Sequence, residues 1–286
     1  MKFKIIFLII IKLIKVILTL YIMLNYDNIL FNKNKTVYNI SEYDIKHERY
    51  GYCRYIIDIS YSVKNIPNRV ISLAMFITNY FFIINSYINF DKKLISVAAL
   101  LLSCKLENYQ GRMQDLVRCF IHKEKKQDNP SYVITQEEVN ITNENLSIAE
   151  IDILKCTKFE TKYEFSRNII EDTCLILFKS NYESILSLSL KVENDSFYTL
   201  ANNLYNKQIV ALSCIIISFQ FLSGINNIEN ITNIDVNYLI NSECFSILKY
   251  DINKNDLFSC ILLILEYYDD MCISMNNINT SNNIVK

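Results

Sequence analysis

From residue 47 onward, aliphatic side chains recur at three- and four-residue spacing over long stretches separated by short polar breaks. That periodicity predicts helices rather than strands. A first helix is expected from Glu48 to Val63. Ile66-Pro67 then breaks the pattern, and Asn68 serves as a cap for a second helix carrying Val70, Ala74, Ile77, Phe81 and Ile84. The aromatics of that helix (Phe76, Tyr80, Phe81, Phe82) read as core. Further helices are expected over 91–106, 111–121 and 146–156, with the charged, Asn-rich stretch 123–145 and its Pro130 as a surface loop. The pattern then restarts, giving helices over 163–179, 185–204, 207–222, 234–248 and 254–271, and a polar, frayed tail after Met275.

The segment from Asp91 to Glu107 is apolar on nearly every face, as the central helix of a bundle should be. It ends in Lys105, which continues the Ala98, Leu101 stripe where another aliphatic would be expected. A second such segment, Asn206 to Leu222, lies 115 positions later: Lys207 matches Lys92 and Ser218 matches Ser103. This is an internal repeat of a five-helix unit, each unit built around one buried helix. The copies differ where the first ends. Lys105 is replaced by Gln220 and Glu107 by Leu222. A lysine needed for folding should recur in both copies, so Lys105 points to use.

Composition narrows the choice of class. With Gly 3 and Pro 2 in 286 residues, turn-rich β folds and glycine-loop nucleotide folds lose their support. The abundance of Asn, Ile, Lys and Tyr fits an AT-rich genome. A formal net charge of -1 gives no electrostatic case for direct nucleic-acid binding. Nine cysteines without a CxxC pair, and two histidines (His47 and His122) with no cysteine pair near either, predict buried reduced thiols and no zinc site or other cofactor. No catalytic constellation is present, so the chain reads as a binding protein rather than an enzyme.

Residues 1–24 complicate this picture. Their length and hydrophobicity suit a signal anchor, but Lys12 and Lys15 would sit mid-membrane at about 3 kcal/mol each. A lipophilic extension or a misassigned start codon is the preferred reading, with a membrane anchor as the alternative.

Several pieces, in order, resemble the cyclin family across about residues 47–224, with weaker continuity to 271. They are Arg54-Tyr-Ile-Ile-Asp58, Pro67 through Ala74, Phe90-Asp91 through Lys105-Leu106-Glu107, and Glu150-Ile-Asp-Ile-Leu-Lys-Cys-Thr-Lys-Phe159-Glu160. The Arg-x-x-x-Asp spacing is more similar to the transcriptional (K, T and L) cyclins than to the division cyclins. Neither the Met-Arg-Ala-Ile-Leu patch motif nor a destruction box occurs.

The resemblance implies an all-α cyclin fold of two five-helix repeats. A lead over 1–46 would precede a first box over 47–160 and a second, degenerate box over 161–272, with a tail over 273–286. It further implies a non-catalytic, activating subunit of a cyclin-dependent protein kinase, transcription-associated and nuclear or nucleocytoplasmic. The alternative is a cyclin-fold scaffold or transcription factor that binds no kinase.

By motif position the resemblance makes Lys105 and Glu150 the kinase-binding pair, as two charges about 10 Å or more apart, with Glu107 a helix end that adds to the contact. Arg54 and Asp58 would brace the first helix internally. Each residue also has a plainer reading. Lys105 would be a cation favourable at a helix C-terminus. Ser147 and Glu150 would form a capping box starting a helix there. Arg54 and Asp58 would be a surface ion pair. Leu106 and Phe159 read as core or rim packing, and the Ser103 hydroxyl must find a backbone acceptor.

Overall fold

The computed structural model describes residues 40–284 apart from 64, 127–131, 161–162, 180–181, 227–235 and 241. The hydrophobic segment 1–24 lies outside the described residues. Those described are helical and divide into two compact units, one ending at Tyr163 and the other beginning at Glu164.

The first unit holds five helices: α1 (Glu42–Ser62), α2 (Asn68–Ile84), α3 (Lys92–Leu106), α4 (Met113–Lys126) and α5 (Gln136–Cys156). Ser41 starts α1 by accepting the Asp44 N–H at 3.1 Å. Asp91 starts α3 by accepting the N–H groups of Lys93 and Leu94 at 2.8 and 3.2 Å. Pro67, not Asn68, is the N-cap of α2, and it has no side-chain cap bond. From Ile95 to Cys104, α3 is buried on every face, packed among α1, α2, α4 and α5. The aliphatic run explains this directly, since burying such side chains stabilises by about 1.5–3 kcal/mol each. Phe81 and Phe82 of α2 are fully buried beside it.

Two expectations for this unit change. The stretch 123–145 is not one loop: α4 runs to Lys126, and α5 begins at Gln136. The capping box sits earlier, where the Thr135 hydroxyl accepts the Glu138 N–H at 3.2 Å and Glu138 accepts the Thr135 N–H at 3.0 Å. Ser147 is inside the helix, donating to the Asn143 carbonyl at 2.8 Å.

The second unit contains α6 (Arg167–Phe178), α7 (Tyr182–Ser196), α8 (Ala201–Leu204), α9 (Lys207–Asn226), α10 (Val236–Leu239), α11 (Ser242–Leu248) and α12 (Lys254–Ile284). Its central helix is α9, buried on all faces from Ile209 to Phe219 and packed by α6, α7 and α12. The predicted helix 185–204 breaks at Phe197–Leu200, and 234–248 is two pieces. α12 continues past Met275 to Ile284 instead of fraying.

Helix ends are closed without glycine. Asn108 follows α3 at φ 51°, with its N–H on the Lys105 carbonyl at 3.3 Å and the Tyr109 N–H on that of Cys104 at 2.9 Å. Lys158 after α5 and Lys249 after α11 repeat this arrangement, at φ 51° and 56°. These are Schellman-type ends, a place glycine usually fills. No described helix is long and apolar enough to cross a membrane.

Candidate functional site

Because α3 is buried on every face from Ile95 to Cys104, its side chains reach solvent only at its two ends. Lys105 lies in its last turn with the side chain 55% exposed. Glu150 lies in the middle of α5, two turns before its end, with a side chain only 13% exposed. The fold brings them together, with Lys105 Nζ donating to Glu150 Oε1 at 2.7 Å and to Oε2 at 2.6 Å. The expected separation of about 10 Å is therefore corrected: the charges form one bidentate pair. Starting α5 at Gln136 frees Glu150 from its own N-terminus, and Lys105 takes it up.

An exposed ion pair of this kind is worth about 0.2–1 kcal/mol. It contributes little to the fold, but it fixes a direction. An ammonium has three N–H donors. With two directed at Glu150, the third remains for an acceptor outside the pair. The largely buried carboxylate keeps the flexible lysine tip in place at the mouth of the core helix.

Glu107 caps the same helix end through its backbone N–H, and its Oε2 pairs with Arg69 Nε at 2.7 Å. Arg69 was not singled out from the sequence, where its place in the first turn of α2 gave no signal. Its bond to Glu107 ties the start of α2 to the end of α3. Phe159, expected in core or rim packing, is 67% exposed, because Lys158 and Phe159 both adopt positive φ after α5 and turn the ring outward.

Arg54 and Asp58 are both exposed and do not pair with each other. Asp58 accepts from Lys123 Nζ at 2.8 Å, bracing α1 against α4. The Lys123 ammonium also lies 4.9 Å from the centre of the Tyr55 ring, whose hydroxyl donates to Glu124 at 2.8 Å. In the second unit the position matching Lys105 is Gln220, and Leu222, matching Glu107, packs against the core.

No family model matches the chain. Over 104 residues, 36% of this chain, it is 35% identical to uncharacterized protein L389 of Acanthamoeba polyphaga mimivirus, and the match spans 9% of that protein. Similarity among solved structures is broader. A chain of the yeast RNA polymerase II CTD kinase CTDK-1 complex superposes with a TM-score of 0.62 at 14% identity, covering 80% of this chain and 67% of that one.

The chain has a cyclin fold.

The cyclin-fold assignment is repeated by the yeast TFIIK (Kin28/Ccl1/Tfb3) complex, with TM-score 0.52, 17% identity, and coverage of 82% and 91% of the two chains. The CAK complex of Chaetomium thermophilum bound to ATP-γ-S matches at TM-score 0.52 and 10% identity over 96% and 79% of the chains. At these identities the likeness concerns fold. Within the first unit of this cyclin-fold chain, Lys105, Glu150 and Glu107 all belong to the neighbourhood of one helix end, where α2, α3 and α5 meet.

Proposed function

We propose that this cyclin-fold protein is a non-catalytic, activating subunit of a cyclin-dependent protein kinase. Transcription is the favoured setting and the nucleus the favoured location. The observation that carries the reading is the Lys105–Glu150 pair, an oriented and exposed ammonium at the end of a fully buried helix. The second unit has Gln220 at the corresponding place. The fold shared with chains of the CTD kinase, TFIIK and CAK complexes supports it.

A protein kinase is active when the glutamate of its C helix pairs with the strand lysine and its activation loop leaves the substrate site. A rigid partner that binds the helix-in arrangement more tightly shifts that equilibrium by the difference in affinity. On this reading Lys105 donates its third N–H to a kinase backbone carbonyl near the C helix, and Glu150 holds it in register. Glu107 anchors the α3 end through Arg69 and borders the contact.

The test is recovery of kinase activity toward a polymerase-tail peptide on the purified full chain, beside a Lys105→Ala/Glu150→Ala variant. Activity with the native chain and a loss of about 30-fold or more in kinase affinity for the variant is expected, the cost of removing a desolvated charge contact. Activity on both chains would retain the function and remove the site. Activity on neither would leave a cyclin-fold scaffold that binds no kinase.

A further inference from the structure

Helix α5 carries a second feature that the Lys105–Glu150 site does not use. Opposite its buried residues Val139, Leu146, Ala149 and Ile153 lies an exposed row: Glu137, Ile141, Glu144, Ile148, Ile151 and Lys155. The spacing is four, three, four, three, four, which is the seam of a coiled coil. Its three isoleucines are 52%, 59% and 48% exposed. Three β-branched side chains in line on one solvent face are unusual for a helix whose other face already packs into a core.

Charge selects the occupant. The seam is acidic at its start and basic at its end. Glu137 and Glu144 form no ion pair among the described residues, and Lys155 reaches only Asp152, loosely, at 3.6 Å. We infer that a second copy of this chain docks here, α5 against α5, antiparallel about a two-fold axis lying between the two helices at the level of Leu146. In that register Glu137 faces Lys155 of the second copy, Ile141 faces Ile151, and Glu144 faces Ile148. These are the cross-layers an antiparallel coiled coil forms, and the interface is self-complementary as two-fold symmetry requires. A parallel pairing would set Glu137 on Glu137 and Lys155 on Lys155.

The contact spans about 27 Å of helix. That is at the small end for a specific interface, so the dimer is weak and concentration-dependent. Glu144 is the misfit, a charge in an apolar layer that lowers affinity while fixing register. Glu150 projects between the core face and this seam, so the dimer contact and the Lys105–Glu150 pair occupy different faces of α5.

Sedimentation velocity of the full chain over a roughly hundredfold concentration range tests the inference. The native chain is expected to show a reversible monomer–dimer equilibrium. Ile148→Asp/Ile151→Asp should weaken it by about 100-fold or more, with unchanged circular dichroism because both positions are exposed. Glu137→Lys alone should weaken it about fivefold, and Glu137→Lys/Lys155→Glu should restore it. Glu144→Leu should tighten it about tenfold. A native monomer throughout the range would overturn the inference, as would a dimer indifferent to the isoleucine pair. Failure of the charge swap to restore association would overturn the antiparallel register. Lys105→Ala should leave the dimer unchanged, which keeps this result separate from the kinase reading.

Discussion

Ser103 and Ser218 occupy matching places in the two central helices, and both are fully buried. The Ser218 hydroxyl donates to the Cys214 carbonyl at 2.7 Å, whereas Ser103 Oγ has no hydrogen-bond partner, against the expectation of a backbone acceptor. A buried hydroxyl without a partner costs about 1–3 kcal/mol. Ser103→Ala should therefore raise stability by about 1 kcal/mol, while Ser218→Ala should be neutral or destabilising. Urea denaturation of the two variants measures the contrast. Glu193 of α7 makes a second residue-scale prediction. It is 2% exposed, accepts weakly from Ser166 Oγ at 3.3 Å, and lies 3.8 Å from Arg167. Burial raises its carboxyl above the ordinary range, outweighing the Arg167 charge. A carboxyl whose folded pKa is raised holds its proton more tightly in the folded state. Its stabilising contribution is complete below the unfolded pKa and is lost as pH rises through the folded one. Thermal melts should show stability falling over that window, and Glu193→Gln should flatten this part of the profile.

Among the helices, α3 and α9 were the most legible, because an unbroken aliphatic run has no other stable location than a core. The start of α5 was not legible. Val139 and Leu146, its buried residues in the first half, are separated by Asn140-Ile-Thr-Asn-Glu-Asn145, a mostly polar stretch that reads as loop. Ser147-Ile-Ala-Glu150 also offered a local capping box, and only the tertiary position of Val139 decides between the two starts. The cost of losing a cap is about 1 kcal/mol, so Thr135→Ala should destabilise by that amount and Ser147→Ala by much less. Equilibrium denaturation distinguishes them. Lys105 and Glu150 were each recognisable by motif, but their mutual bond links positions 45 apart in sequence and depends on where α5 begins. Arg49 illustrates the converse. It is a buried charge at 5% exposure within an otherwise readable helix, and no sequence signal set it apart from its exposed neighbours.

Across the molecule, thiol burial orders chemical reactivity. Six of the nine cysteines are buried, and Cys119, Cys156 and Cys272 are partly exposed. Desolvation pushes Cys104 up to about 11 and Cys174 and Cys260 up to about 12, so thiolate is scarce in the core at neutral pH. Alkylation of the native protein followed by peptide mass spectrometry should label Cys119, Cys156 and Cys272 first, with the buried six labelled only after denaturation. The helix ends carry a different whole-molecule consequence. Every non-glycine residue with positive φ among those described is Asn, Lys or Phe, and no glycine adopts such a conformation. Asn, Lys and Phe are written with codons rich in A and T, while every glycine codon begins with two guanines. A chain this poor in glycine thus carries torsional strain in the backbone, about 1 kcal/mol at each lysine or phenylalanine site. Lys249→Gly should recover about that much in a thermal melt. Relatives encoded with balanced base composition should carry glycine at the same turns.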